Sequence, residues 1–173
     1  TDLSAAKTLK ICNRILCDAK YDDTTKFAIL SRVKSIGWLY PDMKAFKHKL
    51  KQTLQSSESA RFRDFNDRVH CSTVHAYKGS EDDVVLVLGV NDRTFPKIHP
   101  DNELYTIFGV TEADVLAEEE RLFYVAITRP KKDLYLLTDE SDGSAFLERL
   151  GLSGASNPTN RIRPVSADWG NDY

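Results

Sequence analysis

The chain has 173 residues, 41% hydrophobic and 29% charged, which is the balance of one ordinary folded domain and excludes a disordered or fibrous protein. The formal net charge of −2 excludes nucleic-acid binding by bulk charge. Its distribution is uneven: residues 1–80 hold fifteen Lys/Arg against eight Asp/Glu, and residues 81–173 hold nine against eighteen, which permits a local basic surface.

In chain order, Leu9, Cys12, Leu16 and Ala19 recur at helical spacing until Tyr21-Asp22-Asp23 breaks the pattern. Lys26 to Leu30 suits a buried strand. A loop through Gly37 and Pro41 leads to a second helix, whose stripe is Met43, Phe46, Leu50 and Leu54. Lys44, Lys47 and Lys51 flank that stripe, either as a phosphate track or as long stems covering apolar surface. Trp38 and Tyr40 suit base stacking or plugging a core edge. Ser56 to Arg61 reads as loop. Val69 to Val74 and the apolar Asp83 to Val90 read as strands, followed by a long connection from Asn91 to Val110. Thr111-Glu112-Ala113-Asp114 has a capping-box pattern that opens a helix to about Thr128. Asp133 to Thr138 is a further strand and Ser144 to Leu150 a short helix. The expected domain is 1–150, with 151–173 an extended or disordered tail rich in Ser, Asn, Pro and Gly. Apolar strands alternating with helices predict an α/β fold, a mostly parallel sheet with helices on both faces.

Several chemistries are excluded. The longest apolar run, Val84 to Val90, is far shorter than the roughly 20 residues a bilayer needs, so no membrane partner is expected. No basic-then-apolar leader opens the chain, and three cysteines without CxxC spacing fit a reducing compartment, so a cytoplasmic location is expected. None of the eight glycines precedes a lysine, which removes the usual phosphate loop. No GxGxxG, HExxH or GxSxG occurs, and the four histidines and three cysteines lack zinc spacing, so no metal ligands are expected. The three-glutamate run Glu118-Glu119-Glu120 reads as a solvated helix face.

Two segments remain. Ser72 to Glu81 connects two strands and gathers Thr73, His75, Lys78, Gly79 and Glu81, a set equipped either for polar recognition or for a plain turn with Gly79 at positive φ. Glu118 to Pro130 is a helix that Pro130 ends near Arg129, freeing that guanidinium to meet an anion or to sit near the helix dipole's negative end.

Together these segments resemble motifs V and VI of the UvrD/Rep-type superfamily 1 helicases, approximately T-x-H-x-x-K-G-L-E and E-E-R-R-L-x-Y-V-A-x-T-R-A. Ala28-Ile29-Leu30-Ser31-Arg32 similarly resembles motif IV, and the three occur in family order over roughly residues 24–140. The resemblance implies a RecA-like three-layer sandwich, the C-terminal 2A domain of an ATP-dependent DNA helicase moving 3′ to 5′. It implies that Arg32 and Arg129 are arginine fingers on the γ-phosphate, that Glu81 contacts the nucleotide sugar, and that Gly79 belongs to the cofactor-binding set. Thr73, His75 and Lys78 then face single-stranded or partially duplex DNA. ATP with Mg²⁺ would be held mainly by an N-terminal RecA-like domain, so the isolated chain is expected to bind no cofactor and to be inactive as an ATPase.

The chain departs from the family pattern at Ser31, where relatives carry an adenine-stacking aromatic, and at Ser80, Glu120 and Pro130. About 40 residues separate Arg32 from Thr73, leaving no room for a 2B insertion. The missing initiator methionine fits a piece of something longer. The alternative reading is a degenerate helicase-like module that binds DNA or protein without helping hydrolysis.

Overall fold

The computed structural model describes residues 5–35, 40–57, 64–98, 109–138 and 142–151. Trp38, much of the long connection and the tail from 152 onward lie outside the described residues.

The elements are α1 (Ala5–Leu16), β1 (Phe27–Ser31), α2 (Met43–Ser57), α3 (Phe65–Arg68), β2 (Val69–Thr73), β3 (Asp82–Leu88), α4 (Glu112–Ile127), β4 (Pro130–Leu137) and α5 (Ala145–Arg149). The four strands form one sheet in the order β2-β1-β3-β4, every neighbouring pair parallel. Parallel neighbours cannot be joined by a tight hairpin, so each connection crosses the sheet and covers a face of it.

Alternation along the strands builds two cores. Phe27, Ile29, Val84, Leu86 and Leu88 face α1 and α2, meeting Leu9, Cys12, Leu16, Phe46, Leu50 and Leu54. Ala28, Leu30, Val85 and Val87 face the other way, toward Phe123 and Ala126 of α4 and Phe146 and Leu147 of α5. Both faces of β1 are therefore buried, which is why its sequence is apolar without polar alternation. The result is a three-layer α/β sandwich.

Several boundaries differ from the expected ones. α1 starts earlier and stops at Leu16, because Tyr21 turns inward to pack edge-on against Phe27. α2 continues through Ser57, so Ser56 and Ser57 are helical rather than loop. The four-residue α3 has no clear signal in the sequence. β4 starts at Pro130, which an edge strand tolerates at its first residue because the missing N–H costs no ladder bond there. Tyr40 plugs the core edge, with its ring edge-on to Phe46.

Candidate functional site

Because the sheet is parallel, a residue following a strand sits at its carboxyl end and one preceding a strand sits at its amino end. This divides the candidate residues into two groups. Arg32 follows β1, and Thr73 closes β2 with His75 just beyond. Val74 donates its N–H to the Ser31 carbonyl at 3.0 Å, joining these two strand exits at the carboxyl end. Glu81 precedes β3 and Arg129 precedes β4; the Asp82 N–H lies 3.4 Å from the Arg129 carbonyl oxygen, joining these two entries at the amino end. The turn from Val74 through Gly79 links the two groups. Gly79 has φ +89° with open space where a Cβ would be, so backbone conformation rather than crowding calls for glycine.

The structure therefore roots Arg32 and Arg129 at opposite ends of the sheet. Ser31 lies in the row of Leu88 and Leu137, whereas Pro130 pairs with Asp82. Those rows are the last and first of β3, roughly 20 Å apart at ~3.3 Å per residue.

The two guanidiniums also differ chemically. Arg32 makes a forked ion pair with Glu119, its Nε donating to Oε2 at 2.9 Å and a terminal nitrogen to Oε1 at 2.6 Å. Glu119 Oε2 also accepts the Lys97 N–H at 3.0 Å. Arg129 donates Nε to the Val125 carbonyl at 2.9 Å and a terminal nitrogen to the Thr128 hydroxyl at 3.1 Å. Among the described residues no carboxylate pairs with Arg129. Its partners are neutral, so its charge stays available to an incoming anion.

The glutamate run is not uniformly solvated, which corrects the expectation. Glu118 is exposed, but Glu119 is only 5% exposed and Glu120 is paired with Arg149 of α5. Glu119 lies one turn before Phe123 and two before Ala126, on the buried stripe of α4, and helical spacing is the signal that could have found it. The pairing of Glu120 also gives its departure from the family pattern a local purpose, since the acid that replaces a base has a base of its own.

A third feature escaped the sequence reading. The buried carboxylate of Asp82 accepts the Tyr77 hydroxyl at 2.5 Å and lies 2.8 Å from His70 Nδ1, both on Oδ2. Burial, then the bond to Asp82, pushes the Tyr77 phenol well above its ordinary pKa, while nearby Arg129 pulls the other way. Lys78, Ser80 and Glu81 are exposed beside this network. Burial also raises the Cys12 thiol and pushes Cys71 up to about 12, which leaves both unreactive near neutral pH. Among the described residues no group of three metal-ligating side chains forms, and no helix is long and apolar enough to cross a membrane.

This arrangement coincides with a family match. The family model for the UvrD-like helicase C-terminal domain matches residues 15–141. The chain belongs to that family. The matched stretch of this helicase C-terminal domain contains Arg32, Thr73, His75, Lys78, Gly79, Glu81 and Arg129. The chain is 32% identical over 117 residues to the ATP-dependent DNA helicase PcrA of Leuconostoc citreum, covering 67% of this chain and 14% of that protein. It is 39% identical over 71 residues to a probable DNA helicase of Mycoplasma pneumoniae, covering 41% of this chain and 12% of the relative. The chain thus spans a small fraction of these relatives' lengths. A solved C-terminal domain of a possible DNA helicase from Lactobacillus plantarum aligns over 81% of this chain and 70% of its own, at 18% identity and a TM-score of 0.41. The parallel sheet with helices on both faces is the α/β arrangement that the sequence predicts.

Proposed function

We propose that this domain is the C-terminal motor half of an ATP-dependent DNA helicase, and that the two ends of its sheet carry separate tasks. The amino end, with Arg129, Glu81 and Gly79, faces ATP and Mg²⁺ held mainly by an N-terminal RecA-like domain. The carboxyl end, with Thr73 and His75, follows the single-stranded DNA backbone, with Arg32 bracing that end through its fork to Glu119, and Lys78 on the connecting turn adds positive charge beside it. This revises the role expected of Arg32, from a second arginine finger to a group at the DNA end.

The observation that carries the reading is the contrast between the two arginines. Among the described residues Arg129 has only neutral hydrogen-bond partners, and it lies between the Thr128 cap of α4 and Pro130, the first residue of β4. A guanidinium so placed is suited to offset charge that develops on phosphoryl oxygens, a task worth roughly 10³–10⁵ in rate where an arginine finger performs it. Arg32, neutralised by Glu119 and rooted at the opposite end of the sheet from Arg129, is less suited to the same phosphate. Phosphate contacts at the DNA end position the strand without reading sequence.

The test is DNA-stimulated ATP hydrolysis by the polypeptide that joins this domain to its phosphate-loop domain. Arg129→Ala is expected to lower kcat by about 10³-fold or more. Arg32→Ala is expected to raise the DNA concentration for half-maximal stimulation, with kcat at saturating DNA within about tenfold of the parent. The isolated chain is expected to hydrolyse no ATP. Parent-like turnover by Arg129→Ala would leave the degenerate binding module as the better reading.

A further inference from the structure

Asp82 occupies an unusual position. Its residue is 4% exposed, yet it carries a carboxylate at the first residue of a strand whose later side chains are almost all apolar. Three separate elements meet on it. Tyr77, from the turn that crosses between the two ends of the sheet, donates its hydroxyl at 2.5 Å. His70 reaches the same oxygen from β2, on the far side of β1 in the strand order. The backbone N–H of Asp82 approaches the Arg129 carbonyl, at the junction of α4 and β4. Its chain neighbour is Glu81.

We propose that Asp82 is a positioning residue that fixes Glu81 and Arg129 relative to each other, with Tyr77 and His70 as the contacts that hold it in place. The inference rests on the reading of Arg129 and Glu81 as the nucleotide-facing pair. An exposed turn ending in Gly79 has a backbone able to take several conformations, and Glu81 would share that freedom. Two bonds on a buried carboxylate remove it, because a buried acceptor stripped of its partners pays its full desolvation penalty. The turn is held by further bonds along the same path. Tyr77 N donates to the Thr73 carbonyl at 3.1 Å, and Ser80 N donates to the Tyr77 carbonyl at 3.1 Å. Tyr77 thus ties Thr73, at the DNA end, to Asp82 at the nucleotide end through one residue.

The experiment is a mutant cycle on kcat in the joined polypeptide, combining Asp82→Asn and Tyr77→Phe with Arg129→Ala. In the parent background Asp82→Asn is expected to lower kcat about tenfold and Tyr77→Phe about threefold, because small misplacements of a catalytic group are costly. The KM for ATP is expected to change less than kcat. In the Arg129→Ala background the same substitutions are expected to change the residual rate less than twofold, since the group they position is gone. Equal losses in both backgrounds, or parent-like kcat in both folded variants, would overturn the proposal. Tyr77→Phe removes one hydroxyl and carries the test if Asp82→Asn does not fold. Failure of the underlying reading has a different signature, an Arg129→Ala variant with parent-like turnover.

Discussion

Arg32 and Arg129 have the same side chain and opposite situations. One lies at the carboxyl end of the sheet, clamped by a buried carboxylate; the other lies at the amino end among neutral acceptors. The difference teaches that an arginine's motif position does not settle what its charge can do. A guanidinium already paired brings little net charge to a new anion, whereas one whose partners among the described residues are a carbonyl and a hydroxyl keeps all of it. α4 spans both situations: Glu119 in its first half holds Arg32, and its last turn leads into Arg129.

The sharpest way to break the comparison is to keep each charge and remove its fork. Arg129→Lys retains a cation but loses the planar, bidentate donor set, and a loss of about 100-fold or more in kcat is expected. Arg32→Lys is expected to leave kcat at saturating DNA nearly unchanged. Equal kcat losses from both lysine variants would show that the two arginines act at one site after all.

A second effect separates the ends by stability. Glu119→Ala leaves Arg32 without its partner in a setting where only 18% of its side chain is exposed, and orphans the Lys97 N–H. Breaking such a pair is expected to cost about 3 kcal/mol, read as a lower urea midpoint at unchanged slope. Arg129→Ala removes no ion pair among the described residues and is expected to cost much less. A surface variant such as Arg121→Ala, which breaks only an exposed bridge to Glu118, is the control.

Gly79→Ala probes the turn between the ends. Nothing would touch the added methyl, but φ +89° disfavours any residue with a Cβ. A loss of about 1 kcal/mol is expected on thermal or urea unfolding. Because the strain falls between Thr73 and Glu81, ATP turnover is expected to respond more than stability does.

Features set by near neighbours were legible in the sequence. The Thr111–Asp114 cap, the stop at Pro130 and the apolar runs of β1 and β3 depend on residues within a few positions, and each predicted element is present. The order of elements also carries the division into two ends, since Arg32 follows a strand and Arg129 precedes one, whereas the resemblance implied one shared phosphate for both. Partner choice was not legible. Arg32 and Glu119 lie 87 positions apart, and only the packed sheet and helix show that they meet. The burial of Asp82 likewise depends on Tyr77 folding back over β3 and His70 reaching across from β2.

The smallest expected effect concerns the start of α4. Thr111 donates its N–H and its hydroxyl to the Asp114 carboxylate, at 2.8 and 2.6 Å, while Asp114 N donates back to the Thr111 hydroxyl at 3.2 Å. The bonds from Thr111 hold the Asp114 carboxyl below its ordinary pKa. A depressed folded pKa means the unfolded chain takes up the proton first as pH falls. The stabilisation is therefore complete above the ordinary carboxylate value of about 4, and is lost as pH drops from there through the folded value. Asp114→Asn is expected to flatten stability against pH in that acid range, and to leave the pH dependence above about 5 unchanged. Because the cap sits at the far end of α4 from Arg129, ATP turnover near neutral pH is expected to be unaffected. A turnover loss from Asp114→Asn at neutral pH would mean that α4 transmits strain along its whole length, and that the two ends of the sheet are not separate.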